Sequence, residues 1–345
     1  MMMKRTDRLV RPSVMKLVPY SCARDEYEGT DGIFLDANES PWGPLNRYPD
    51  PRQRELREAV SLLKGIPAAN IFLGNGSDEI IDLCFRIFCN PGKDKAMIFT
   101  PTYGMYSVAA SVNDIEVIRI PLSGTFNIDL QAVRPWLQDE TLKLIFICSP
   151  NNPTGNCMEQ ETIETIISEF RGIVVIDEAY ADFSGKKSFA GRTGESDNLV
   201  VMQTFSKAFG LAAARVGMAF ADVDILKYFF AMKPPYNIST LNQEAALQRL
   251  CETDAVTRRV RSIIAERERL ASRLASLPFV EKVWPSDSNF LLVRVKDADR
   301  IYDSLAARKI IVRNRSREIP GCIRITTGTE EENETLLREL NNIRI

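Results

Sequence analysis

Between residues 70 and 220, short apolar runs recur at intervals filled by helical patterns. "NIFLG" precedes "EIIDLCFRIF" and "AMIFT" precedes "YGMYSVAASV"; then come "IEVIRI", "LKLIFICS", "GIVVIDE", "NLVVMQTF" and "GMAFA". Most of these runs are apolar at nearly every position rather than at alternate ones. Both faces of each strand therefore need cover, and the intervening helices supply it. A chain patterned this way is expected to build an α/β domain around a mainly parallel, seven-stranded sheet held between helices.

Beyond that domain a helical pattern without turn signals runs from about Asn242 to Leu277, and its charged face "RRVRSIIAERERLASRL" is expected in solvent. After Pro278 the strands "FVEKVW", "FLLVRV", "IIVR" and "CIRIT" and two interposed helices describe a smaller α+β domain. Residues 1–30 show no strong periodicity and read as an arm. The expected division is an arm over 1–30, a large domain over 31–245 and a small domain over 246–345, joined by the long helix.

Composition narrows the chemistry. A length of 345 residues suits about two domains. A formal charge of 44 − 46 = −2 gives no bulk reason to expect nucleic acid or an anionic membrane as partner. The chain contains no histidine, which excludes Ser/His/Asp and Cys/His catalytic arrangements and any imidazole-bound metal. Proton transfer must fall to Lys, Tyr, Asp, Glu or Cys. The seven cysteines are scattered without CxxC spacing and read as free thiols in a reducing compartment. No stretch approaches the roughly 18 apolar residues of a membrane helix, and the amino terminus lacks the apolar run of a signal peptide. The expected partners are small molecules, and the expected address is the cytoplasm.

In an open parallel sheet, ligands bind beyond the carboxyl ends of the strands. In "FLGNGSDEII", Gly76, Ser77 and Asp78 stand between a strand and a helix, where free N–H groups favour a phosphate; an Asn-Gly turn is the other reading. "FTPTYG" presents Tyr103, an aromatic able to cover a flat ring. "FICSPNNPTG" presents Asn152 as a fixed amide. "GIVVIDEAY" carries Asp177 to the end of an apolar strand, where a carboxylate is costly unless it meets a cation, or else caps the next helix. Tyr180 follows. "NLVVMQTFSKAFG" adds Thr204, Ser206 and Lys207, a lysine whose ammonium form is disfavoured at a crowded strand end, leaving an amine able to attack a carbonyl. A phosphate cradle, a ring cover, a buried carboxylate, a tyrosine and a poised amine are together the demands of pyridoxal 5′-phosphate.

The chain resembles the fold-type I, class I/II aminotransferases, and within them the histidinol-phosphate branch. The likeness rests on "LDANESPWGP", "NRYPDP", "GNGSDE", "TPTYGMY", "SPNNPTG", "IDEAY", "TFSKAFGLAAARVG" and "GCIRITTG", which follow the family's order over nearly the whole chain. The resemblance implies that Lys207 holds the cofactor and later moves the substrate's Cα proton. It implies that Asp177 pairs with the pyridine nitrogen, that Asn152 and Tyr180 bond the ring hydroxyl, and that Tyr103 stacks on the ring. Gly76, Ser77, Thr204, Ser206 and Arg215 would hold the cofactor phosphate, with Tyr48 reaching across from the partner subunit of a homodimer. Arg324 resembles the arginine that binds a substrate carboxylate, and Tyr20 and Arg313 the contacts to a substrate phosphate. Ala213 stands where the family often has glycine, without moving Lys207 or Arg215 out of register. The implied activity is exchange of the amino group between L-histidinol phosphate and 2-oxoglutarate in histidine biosynthesis. An aromatic or broad amino-acid aminotransferase and a threonine-phosphate decarboxylase are the alternatives.

Overall fold

The apolar runs form seven strands lying side by side: β1 (Ile71–Asn75), β2 (Lys95–Thr100), β3 (Glu116–Pro121), β4 (Leu142–Cys148), β5 (Ile173–Asp177), β6 (Leu199–Thr204) and β7 (Val216–Ala221). This computed structural model describes residues 5–27, 29 and 31–343; residues 1–4, 28 and 30 of the expected arm and 344–345 of the small domain lie outside the described residues. The sheet order is β1-β7-β6-β5-β4-β2-β3. Strands β2 to β6 pair in parallel, and β7 runs antiparallel to both β1 and β6. Two reversals restore the direction, so β1 ends at the same edge of the sheet as β4, β5 and β6.

Burial explains the unbroken apolar strands. On β4, Ile145 and Ile147 pack into one core while Leu144 and Phe146 pack into the other; on β5, Val174 and Ile176 oppose Ile173 and Val175 in the same manner. One face is covered by helices that include Arg54–Lys64 and Gln160–Glu169, the other by Gly76–Phe88, Met105–Val112 and Val223–Met232. Each such aliphatic side chain contributes about 1.5–3 kcal/mol by leaving water.

The turn that begins the helix Gly76–Phe88 lies hard against β7. Gly74 pairs with Gly217 across the sheet, and a Cβ on Gly217 would stand 2.6 Å from both the carbonyl carbon of Gly76 and the backbone N of Ser77. Only glycine permits that approach, which sets the Ser77 N–H beside the end of β6.

The helical stretch after residue 240 departs from expectation. It is two helices, Thr240–Leu250 and Thr253–Ala275, separated at Cys251 and Glu252. No Gly or Pro marks the break. Ala246 before the break and Val256 and Val260 after it pack in the same large core, and the second helix runs on unbroken to Leu270 and Leu274 in the small one. Nor is its charged face wholly solvated: Arg267 is buried and donates from Nη1 to the Ser288 carbonyl at 2.7 Å.

The second sheet is antiparallel, ordered β10-β11-β9-β8, with β8 (Val280–Val283), β9 (Phe290–Val295), β10 (Arg313–Asn314) and β11 (Cys322–Thr326). Helices Ala298–Ala307 and Glu330–Asn341 cover it, the latter started by a capping box between Thr329 and Glu332. The amino-terminal segment carries short helices at Arg5–Leu9, Pro12–Met15 and Ala23–Glu26. Val10 and Val14 are buried against the large domain, where the Arg11 N–H donates to the Ile87 carbonyl.

Candidate active site

Strand register brings the chemistry together. Cys148 is level with Asp177 on β4 and β5, and Thr204 is level with Gly217 on β6 and β7. Around these ends opens a cavity of about 650 Å³.

Asp177 is 4% exposed. Its Oδ2 accepts from the Tyr106 hydroxyl at 2.6 Å and its Oδ1 from the Ala179 N–H at 3.0 Å. Burial pushes this carboxyl above its ordinary range, and the two donors, with Lys207, pull against that shift. The carboxylate thus has donors enough to stay in place and still lacks a cation in contact with it among the described residues, a costly condition that a ligand cation would relieve.

Lys207 lies just past β6. Its side chain is open to the cavity rather than buried, with Nζ 5.5 Å from the centre of the Tyr180 ring. Loss of solvent around the amine, then the charges of Arg324 and Arg215, lower its pKa, against Asp177 and Asp78. The Tyr180 hydroxyl accepts from the Asn152 Nδ2 at 3.3 Å, and burial keeps that phenol protonated. Asn152 is fixed by its neighbour: the Asn151 side chain bonds the Pro101 carbonyl and the Thr154 hydroxyl and accepts from Thr102.

The anion cradle lines the same cavity. Ser77 and Asp78 open the helix Gly76–Phe88, and Thr204, Ser206 and Arg215 face them across the end of the sheet. Thr204 Oγ1 accepts from the Ser206 N–H at 3.0 Å. Arg215 has φ +51°, its Nη1 donates to the Ala212 carbonyl, and its Nη2 meets Asp78 at 3.2 Å. A Cβ on Gly76, where φ is +75°, would lie 2.5 Å from that Nη2, so glycine gives the guanidinium its place. Tyr103 also donates to Asp78, at 3.2 Å; burial and that acid push its pKa up to about 12.

The small domain supplies the remaining wall. Arg324 on β11 donates from Nη1 to Asn152 Oδ1 and stacks over Phe290, while its buried Nε has no partner. Arg313 lines the same wall. Tyr20 does not reach this cavity: it is 73% exposed. Tyr48 lies outside it as well, half-exposed and stacked on Tyr236 at 4.4 Å between ring centres.

Three polar residues escaped the sequence reading, one buried behind Asp177 and two lining the cavity. Tyr106 sits three positions after Tyr103 on the helix Met105–Val112, where its pattern matched a core aromatic; the signal was that a buried tyrosine needs a hydrogen-bond partner and Asp177 needed a donor. Arg315, two residues after Arg313 and therefore on the same face of an extended chain, lines the wall with Glu318.

Residues 35–340 match the family model for aminotransferase class I and II, and the chain belongs to that family as a pyridoxal-phosphate-dependent aminotransferase. Within it, the chain is 48% identical to the histidinol-phosphate aminotransferase of Cytophaga hutchinsonii over 96% of its length and 97% of the relative's. It is likewise 48% identical to that of Parabacteroides distasonis, over 99% of this chain and 100% of the other. Among solved structures, the histidinol-phosphate aminotransferase of Clostridium acetobutylicum superposes with a TM-score of 0.79 at 26% identity, covering 86% of this chain and 90% of that one. The Sinorhizobium meliloti enzyme, solved in complex with pyridoxal 5′-phosphate, has the same fold, with a TM-score of 0.79 at 23% identity and 89% of each chain covered.

The cavity fits that cofactor on its own terms. A buried carboxylate with no cation in contact among the described residues, a glycine-shaped cradle with an arginine, and an accessible amine of lowered basicity line the one cavity.

Proposed function

We propose that the chain exchanges the amino group between L-histidinol phosphate and 2-oxoglutarate, giving imidazole acetol phosphate and glutamate, a step of histidine biosynthesis. The observation that carries this reading is one cavity holding the Lys207 amine and buried Asp177 on the sheet side and the arginines Arg313 and Arg324 on the other. The relatives' names agree with it.

Bound pyridoxal phosphate supplies the electron sink that takes up the charge left when the substrate loses its Cα proton. In this reading Ser77, Thr204, Ser206 and Arg215 hold its phosphate, Tyr103 covers its ring, Asn152 and Tyr180 bond its ring hydroxyl, and Asp177 keeps the pyridine nitrogen protonated. Asp78 and Gly76 hold Arg215 in position. Tyr106 holds Asp177, with its hydroxyl as donor. Lys207 Nζ carries the proton between carbons, which a neutral amine does well near neutral pH and an ordinary lysine does poorly. With no histidine in the chain, an amine of lowered pKa is the base the cavity offers. Arg324 presents a fork with a free Nε for the carboxylate of glutamate or 2-oxoglutarate.

Purified holoenzyme offered histidinol phosphate, phenylalanine or phosphothreonine tests this choice. Histidinol phosphate should change the cofactor absorbance at the lowest concentration and yield an oxo product without carbon dioxide. A faster response to phenylalanine, or release of carbon dioxide from phosphothreonine, would replace the reading.

The enzyme acts, in this proposal, as a cytoplasmic homodimer. The segment around Tyr48 exposes Ile33, Leu35, Trp42 and Leu45, an apolar surface of the kind that a partner covers. Its loop is shaped for presentation: burial raises the pKa of Glu39, but Arg47, the Tyr48 N–H and Arg24 bond it and bring it down to about 2. Among the described residues no helix is long and apolar enough to cross a membrane. Sedimentation should give a dimer, and Tyr48→Phe should weaken cofactor retention about tenfold, the worth of one hydrogen bond to a charged group. A monomer that keeps full activity would refute the shared site.

A further inference from the structure

Three arginines share one wall of the cavity. Arg313 and Arg324 are directly opposite each other on β10 and β11, a pairing of like charges that destabilises a sheet unless an anion comes between them. Arg315 follows β10, anchored by its backbone N–H on the Cys322 carbonyl at 2.9 Å. Among the described residues Glu318 is the one carboxylate within ion-pair distance of any of the three: it meets Arg315 Nη2 at 2.6 Å. The Arg315 side chain is 12% exposed and its buried Nε has no partner, whereas the Glu318 side chain is 47% exposed. The arginine is thus fixed and partly unsatisfied, while the glutamate can turn into water at little cost.

We propose that Arg315 is a specificity-determining anchor for the phosphate of the phosphorylated substrate, and that Glu318 is its displaceable placeholder. This rests on the substrate reading above. Without a phosphate, Glu318 neutralises Arg315 and spares the wall a third uncompensated charge. An incoming phosphate dianion offers more acceptor oxygens than one carboxylate and takes the Arg315 donors, including the unused Nε, as Glu318 swings to solvent. Glutamate, whose two carboxylates fall to Arg324 and Arg313, leaves the Arg315–Glu318 pair closed. One cavity then accepts a phosphate-bearing amine in one half of the reaction and a dicarboxylate in the other, and discriminates between them by opening or keeping that pair.

The test compares half-reactions of wild-type, Arg315→Gln and Glu318→Gln holoenzymes with histidinol phosphate, histidinol and glutamate, followed by cofactor absorbance. Arg315→Gln should lower the preference for histidinol phosphate over both histidinol and glutamate about tenfold, through half-saturating concentration rather than limiting rate. Glu318→Gln should raise that preference severalfold, which a merely bracing ion pair would not do. Unchanged preferences in Arg315→Gln, or a loss in Glu318→Gln matching that of Arg315→Gln, would overturn the proposal. Inorganic phosphate, tested as a competitor of glutamate, separates the two readings. If wild type ignores histidinol phosphate the substrate reading falls, and a phosphate inhibition that Arg315→Gln fails to weaken removes Arg315 as an anchor independently.

Discussion

Lys207→Ala is expected to reduce turnover on the order of 10⁴-fold or more, the upper range for loss of a positioned proton carrier, and to abolish the visible absorbance of the lysine-bound cofactor. The size of the effect follows from the cavity's inventory. Tyr180 and Tyr103 also face the cavity, but both are held protonated, by burial and, at Tyr103, by Asp78. Asp177 is spoken for by Tyr106 and the Ala179 N–H. None can stand in as a base of suitable pKa. The side chain is open to the cavity, so its removal leaves the core intact and thermal stability near that of the wild type. A variant that retains both turnover and the absorbance band would sink the assignment. Partial rescue by small added amines would instead support the role of the amine itself.

Asp177→Asn is expected to bind cofactor but lose roughly 10²–10³-fold in rate, the usual cost of one preorganised charge in a water-excluded site. The substitution keeps the shape of the side chain and lets Tyr106 continue to donate to the one remaining oxygen, while the Ala179 N–H loses its acceptor. The larger loss is the negative charge in a buried place where it acts strongly. The same burial predicts a pH signature in the cofactor-free protein. Because the folded-state pKa of Asp177 is raised, the folded chain binds more protons than the unfolded one above the ordinary carboxyl range. Stability contributed by this group is therefore present at acidic pH and lost as pH rises through the folded pKa. Cofactor-free Asp177→Asn should lack that loss, melting at or above the wild-type temperature near neutral pH, whereas bound cofactor should stabilise the wild type more than the variant. Near-normal activity, or a cofactor-free variant less stable than the wild type at neutral pH, would make the carboxylate a structural element.

Much of the large domain was legible in the sequence because its physics is local. A strand covered on both faces must be apolar throughout, and each of the seven runs became a strand within a residue or two of its reading. The polar letters that end those runs, Asp177, Asn152, Thr204 and Lys207, were conspicuous because a polar group after a buried strand must have a reason to be there. The break at Cys251–Glu252 was illegible because no Gly or Pro stands there; Ala246 and Val256, on either side of it, both dock on the large core. Arg267 looked like one more solvated charge and is buried on the Ser288 carbonyl, a partner supplied from 21 residues away.

The site divides along the same line. By itself the sequence determined the α/β class, the order of the strand-end residues, the absence of imidazole chemistry and the family, since all of these depend on which residues occur and in what succession. Only the tertiary structure decided that Tyr106 supports Asp177, that Gly217 lets the Gly76–Ser77 turn lie against β7, that Tyr20 stands away from the cavity, and that Arg315 and Glu318 complete its cationic wall. Those are facts of register and approach between segments far apart in the chain. A hydrogen bond at 2.6 Å or a Cβ clash at 2.6 Å is set by how two elements pack, and packing is a property of the whole core.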